Sequence, residues 1–228
     1  MLERTFMIAK KKFKKAISQW RRARVRVIVL AGQGKAGKDV FLSYFRRNYS
    51  NFRHYRIAET PIKIAEILEL PRERRVLQAL FHVNDLLYPI LGESAYKRRI
   101  ARLIDKEKPH FALVEAVRTK EEYEEFVVKR GGILVGVRAP AQLRYERALR
   151  DAEKRGSEKR DEKHLSFREF LKRETLPIER DIDWIVGRAH FILTNDLDDY
   201  PAFYKKIDAV MRELGISKKR GRIGARRN

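Results

Sequence analysis

The chain has 228 residues, 43% of them hydrophobic and 37% charged, which is enough for one α/β domain with insertions and a buried core. It contains no cysteine, which excludes a disulfide framework, a thiolate metal site and a cysteine nucleophile. Residues 1–30 lack the apolar segment of a signal peptide and no run approaches the roughly 18 apolar residues of a membrane span, so a cytoplasmic protein is expected.

The net charge of +22 suggests a polyanionic partner, but its placement matters more than its size. Residues 1–26 carry ten Lys/Arg against one Glu, and residues 215–228 carry six against none. Basic termini of this kind suit nucleic acid, while the smaller excess left between them suits a site for two phosphorylated ligands.

In chain order, Phe6, Phe13, Ile17 and Trp20 can share one helix face, with Lys10, Lys11, Lys12, Lys14 and Lys15 around it. The pattern fits either a helix docked on the domain or a basic amphipathic segment meeting nucleic acid or anionic lipid. Docking is favoured, because an exposed Trp/Phe stripe invites aggregation. Val25 to Leu30 is a β-branched apolar run of the kind buried on both faces of a parallel sheet. A glycine-rich turn and a helix from Val40 to Arg47 follow. Tyr55 to Ala58 reads as a second strand, and Pro61 fits the first turn of the next helix. Residues 72–105 are helical by spacing, divided at Pro89 and Gly92. Phe111 to Val114, Ile133 to Val137 and Phe191 to Leu193 are three more strands. A helix through Tyr123 and Phe126 precedes Gly131-Gly132. An arginine-rich helix, a polar stretch around Gly156 to Lys163 and a helical region from Phe167 to Trp184 precede the last strand, and a helix from Tyr200 to Leu214 closes the domain. The alternation predicts an α/β fold, a five-stranded parallel sheet with helices on both faces and ligands at the carboxyl ends of the strands.

Gly32, Gly37 and Lys38 match G-x-x-x-x-G-K directly after the first strand and before a helix. Glycines let consecutive N–H groups curl around a phosphate, the helix dipole adds to them, and the lysine reaches the terminal phosphates. Gly32, Gly34, Lys35, Ala36, Gly37, Lys38, Asp39 and Val40 are therefore the candidate nucleotide-binding residues. Asp39 stands where Ser or Thr usually ligates magnesium, and its carboxylate is the candidate Mg²⁺ ligand.

Polar residues after the other strands converge on the same rim: Glu59 with Lys63, Glu115 with Arg118, and a helix bearing Arg144, Arg147 and Arg150. These are the parts of a phosphoryl transfer, with Lys38, Glu59, Glu115, Arg147 and Arg150 as candidate catalytic residues. Glu59, Lys63 and Arg118 are the candidate substrate contacts. Plainer roles stand beside these. Glu59 could cap the helix near Pro61, Glu115 could form a structural salt bridge with Arg118, and the helical arginines could be solvated. His82, His110, His164 and His190 have no metal-ligand spacing.

The loop Gly32-x-x-Lys35-Ala36-Gly37-Lys38-Asp39 resembles the G-K-D variant of phage-type deoxynucleoside monophosphate kinases and animal-type phosphomevalonate kinases, within the P-loop nucleotide and metabolite kinases. Ala58-Glu59-Thr60-Pro61-Ile62-Lys63 is similar to their A-D-P-[IL]-K sequence, with one insertion and Glu for Asp. Glu115-Ala116-Val117-Arg118 with Glu121 or Glu122 looks like a loosened D-V-R motif. Arg147-Ala148-Leu149-Arg150-Asp151 resembles the R-x-x-R-D of dephospho-coenzyme A kinases, whose late strand and asparagine are similar to Phe191 to Asn195. The resemblance implies ATP and Mg²⁺ as cofactors and a small phosphorylated acceptor. It also implies a kinase domain over 25–214, with an acceptor-binding insert at about 59–108 and a lid at about 150–175, between a basic helix at 1–24 and a basic tail at 215–228. A (deoxy)nucleoside monophosphate is the expected acceptor, with dephospho-coenzyme A or phosphomevalonate as alternatives, and a nucleic-acid-associated P-loop protein as the alternative of another class.

Overall fold

The computed structural model describes residues 13–71, 74–155, 165–175, 179–197 and 199–219. Phe6, Lys10 to Lys12, the polar stretch from Gly156 to Lys163, His164 and most of the basic tail lie outside the described residues.

Five strands, β1 (Arg26–Ala31), β2 (Phe52–Arg56), β3 (Phe111–Glu115), β4 (Ile133–Arg138) and β5 (Phe191–Thr194), form one sheet in the order β2-β3-β1-β4-β5. All four pairings are parallel, and Val29 of the central strand lies opposite both Val114 and Leu134. Alternate side chains of β1 enter two cores. Ile28 and Leu30 pack with α1 (helical residues 13–22), α2 (Lys38–Asn48) and α10 (Tyr200–Leu214). Val27 and Val29 pack on the other face with α5 (Ala95–Glu107), α9 (Ile182–Val186) and the turns following α6 (Lys120–Tyr123). Both faces are covered, which is why β1, β3 and β4 are written as nearly unbroken apolar runs.

The first helix is docked over its described length. Ile17 and Trp20 are buried, Phe13 packs edge-on against Phe191 at 5.2 Å, and the Trp20 indole donates to the Val27 carbonyl at 2.7 Å.

Two expectations are corrected. The second strand is Phe52–Arg56, three residues earlier than its apolar tail suggested. β2 is an edge strand paired only to β3, with Arg53 and Arg56 exposed, so it lacks the apolar signature of the interior strands. Pro89 does not divide the helical segment: α4 (Arg74–Leu91) runs through it and ends at Gly92, which has a φ of 69°. In the last turn, the missing proline N–H removes a single hydrogen bond.

The helices α3 (Glu59–Ile67), α4 and α5 all lie between β2 and β3. After β4 come α7 (Ala141–Arg155) and α8 (Phe167–Glu174). The helical region expected from Phe167 to Trp184 is thus two helices, α8 and α9. Among the described residues no helix is long and apolar enough to cross a membrane.

Candidate active site

The turn between β1 and α2 is shaped by what its glycines leave out. A Cβ on Gly32 would lie 2.4 Å from the Val137 carbonyl oxygen. One on Gly37 would lie 2.2 Å from the Asn195 amide nitrogen, and Gly37 also has a φ of 112°. Asn195 is buried beneath the loop and donates from Nδ2 to the Ala36 carbonyl at 3.0 Å. Gly37 is the N-cap of α2 and offers no side chain to the helix, so the first-turn N–H groups are left for another acceptor. The Lys38 ammonium is folded back onto the carbonyls of Gly32 (2.7 Å) and Gln33 (2.9 Å). Its enclosure, together with the nearby charge of Arg118, lowers its pKa to about 8 against the opposing pull of Asp39, Glu179 and Glu115. A cation held below its ordinary pKa, beside an uncapped helix start, is suited to an anion.

The side of the loop facing α7 and α9 is tied down by carboxylates and an arginine. Lys35 pairs with Asp151, and Gln33 donates to Asp183. Arg147 reaches across to the carbonyls of Lys35 (3.4 Å), Asn195 (3.3 Å) and Leu197 (3.4 Å). It therefore joins the glycine-rich turn to the turn after β5. Arg150 is exposed on the same helix. Arg144 is buried against Glu174 and the Ala139 carbonyl, which makes it a structural tie between α7 and α8.

On the opposite side, Glu115 at the end of β3 is buried. It does not pair with Arg118, as the plainer sequence reading had allowed. It accepts from His54 Nε2 at 2.9 Å and lies 3.8 Å from Arg56, both on the neighbouring strand. Arg46 donates to His54 Nδ1, which leaves the Nε2 proton for Glu115. Burial raises the Glu115 pKa, but the His54 hydrogen bond and the charges of Arg56, His54 and Lys38 outweigh it and hold the carboxyl below its usual value. Arg118 instead pairs with Glu179 at 2.8 Å.

Glu59 does not cap α3, whose N-cap is Ala58. It lies in the first turn and pairs with Lys63 at 2.7 Å, so two expected substrate contacts meet each other. Asp39, Glu59 and Glu115 line one open cavity of about 570 Å³ together with Arg46, His54 and Arg56. No three His, Asp or Glu side chains among the described residues are grouped closely enough to hold a metal.

His54, Asp151, Asp183 and Glu179 were missed by sequence reasoning. His54 could have been found had β2 been placed correctly, since the strand then carries it to the β3 carboxylate. The other three follow no motif at their own positions, except that Asp151 closes the R-x-x-R-D sequence.

No protein-family profile matches the chain. It is similar to the UPF0200 protein of Sulfurisphaera tokodaii, with 26% identity over 195 residues, covering 83% of this chain and 98% of the relative. Among solved structures, TT1252 from Thermus thermophilus superposes with a TM-score of 0.53 at 16% identity, covering 82% of this chain and 97% of that one. A shikimate kinase from Bacteroides thetaiotaomicron gives a TM-score of 0.49 at 15% identity over 83% and 98% of the two chains. The likeness to TT1252, at a TM-score of 0.53, is one of fold, a five-stranded parallel sheet clad in helices.

Proposed function

We propose that this protein is a P-loop kinase that transfers a phosphoryl group from ATP to a small phosphorylated acceptor, a (deoxy)nucleoside monophosphate. The observation that carries the reading is the uncapped start of α2, with Lys38 enclosed in the turn before it and a buried carboxylate, Glu115, at the end of the adjacent strand. Polyphosphate fits this turn, because the backbone is open at Gly34, where a Cβ would meet nothing within 4 Å, and the first-turn N–H groups lack a side-chain acceptor. Magnesium fits the cavity shared by Asp39 and Glu115, since Mg²⁺ is usually held by one or two carboxylates plus phosphate oxygens and water. When bound there, it would offset the charge on the phosphates.

In this reading Lys38 and the amides from Gly34 to Val40 hold the terminal phosphates, and Asp39 serves the metal. Arg118 and Lys63 hold the acceptor phosphate, Glu59 or Glu115 orients the acceptor, and Arg147 or Arg150 neutralises charge on the moving group. Residues 59–108 form the acceptor-binding part and about 150–175 the lid. Dephospho-coenzyme A is the second reading, favoured by the engagement of the loop by Arg147 and Asp151, the residues that carry that resemblance. Incubation with ATP and Mg²⁺ against nucleoside monophosphates, dephospho-coenzyme A and phosphomevalonate tests the assignment. ATP consumption with a nucleoside monophosphate is expected, and consumption with none of the panel would overturn the kinase assignment.

Nucleotide binding should depend on pH with a defined sign. Lys38 loses its proton near pH 8 in the free protein, whereas bound phosphates favour the charged form. Below pH 8 the ammonium is already present and affinity is level. Above pH 8 binding must take up a proton, so affinity should fall by up to about tenfold per pH unit. Calorimetric titration of ATP across pH 7–10 reads this directly, and a level affinity across that range would contradict the role of Lys38.

A further inference from the structure

A second cavity, of about 300 Å³, opens between α4, α5 and the turn after β3. This lies at the lower end of the range for small-molecule sites, about 300–1,000 Å³. Gln78, Phe81, Asn84, Tyr88, Tyr96 and Arg118 are among its lining residues. Phe81 meets Tyr96 edge-on at 5.6 Å, and the buried Tyr96 is fixed by its hydroxyl bond to the Leu80 carbonyl. The walls are thus aromatic and suited to a flat ring. Arg118 closes the end towards the turn after β1, since it pairs at 2.8 Å with Glu179, which lines a neighbouring cavity with Gln33, Gly34 and Lys35.

The carboxylates of this cavity are all engaged. Glu121 accepts from Lys97 Nζ (2.7 Å) and the Ser94 N–H (3.2 Å). Glu122 accepts from the N–H groups of Arg118 (2.7 Å) and Thr119 (3.2 Å), and Asp85 pairs with His82 at 3.3 Å.

Asn84 differs from them. Its Oδ1 accepts from the Tyr96 N–H at 3.4 Å and from the Ser94 hydroxyl at 3.1 Å. A backbone N–H can only donate, so it fixes which end of the amide is oxygen. The Ser94 Oγ accepts the N-cap bond from Lys97 N–H on one lone pair, and its own hydrogen goes to Asn84 Oδ1. Asn84 Nδ2 is left as a donor of fixed orientation with no partner among the described residues. Gln78 has no such constraint and can present either end of its amide.

We propose that this cavity takes the heterocycle of the acceptor and that Asn84 Nδ2 reads the C4 carbonyl of a pyrimidine or the C6 carbonyl of a purine, so that bases with an oxo group there are selected over their amino counterparts. This rests on the kinase reading above and narrows its acceptor to nucleoside monophosphates of uracil, thymine, guanine or hypoxanthine type. A fixed donor facing an exocyclic amine is left unpaired, which costs affinity.

The test uses two matched pairs, UMP with CMP and IMP with AMP, each exchanging a carbonyl beside a ring N–H for an amine beside an unprotonated ring nitrogen. Calorimetric binding and ATP consumption are measured for the wild-type chain, Asn84→Asp and Asn84→Leu, with thermal melting to confirm folding. Wild type should favour each oxo member by about tenfold or more. Asn84→Asp keeps the acceptor for Tyr96 and Ser94 but replaces the donor, and should erase or reverse the preference. Asn84→Leu should weaken the oxo members most. Equal affinity within both pairs, or an unchanged ratio in Asn84→Asp, overturns the role of Asn84 while leaving the kinase assignment standing if ATP is consumed. No binding of any nucleoside monophosphate, with turnover on another phosphorylated acceptor, overturns this inference and the acceptor class but not phosphoryl transfer. ATP consumption that no acceptor stimulates overturns both.

Discussion

Lys38→Ala is expected to reduce phosphoryl transfer by about a thousandfold or more, because it removes the ammonium held inside the turn, whereas the other loop cation, Lys35, is paired with Asp151. The expectation follows from position as well as motif. Lys38 starts α2, its Nζ is within 2.9 Å of two loop carbonyls, and its pKa of about 8 shows that the free protein holds the charge against the preference of its surroundings. The folded-state pKa lies below the ordinary lysine value of 10.5, so below pH 8 the ammonium costs stability, and that cost fades as pH rises towards 10.5. Removing it therefore relieves a penalty while the carbonyls of Gly32 and Gln33 each lose a donor, a loss of about 1 kcal/mol apiece. The two effects oppose each other, and the melting temperature should change little. Turnover on whichever acceptor the panel identifies, with a thermal melt of the same sample, checks both halves. Retained turnover in the folded variant would remove the loop from the mechanism.

Trp20→Ala should produce the largest loss of stability. The indole is almost fully enclosed, its ring stacks on Phe111 at a centroid distance of 5.9 Å, and its Nε1 donates to the Val27 carbonyl at the start of the central strand. Truncating a buried tryptophan costs about 3–5 kcal/mol, a large share of the roughly 5–15 kcal/mol that holds a domain together. For a chain of this size that corresponds to a fall of about 6–20 °C in melting temperature. The substitution touches no residue assigned to phosphate or acceptor, so nucleotide affinity below the transition should be preserved. An unchanged melting temperature would show that residues 13–22 contribute nothing to the core.

The amino-acid order by itself determined the interior strands β1, β3 and β4, the apolar edge strand β5, the closing helix Tyr200–Leu214 and the glycine-rich turn between β1 and α2. Interior parallel strands are covered on both faces and must be apolar throughout, and the loop is a requirement on consecutive backbone dihedrals that glycine meets. Such demands are local and leave local marks. β2 escaped because Arg53, His54 and Arg56 leave it without an apolar run, whereas β5, also at a sheet edge, keeps Phe191, Ile192 and Leu193; Pro89 misled because a proline in a final helical turn costs one bond rather than a helix. Only the tertiary structure decided who partners whom at the rim: Glu115 with His54 rather than Arg118, Lys35 with Asp151, Asn195 beneath Gly37, and Asn84 turned by Ser94 and Tyr96. These choices depend on which strands adjoin and how each crossover helix packs. A hydrogen bond between residues far apart in sequence leaves no periodicity in either of them.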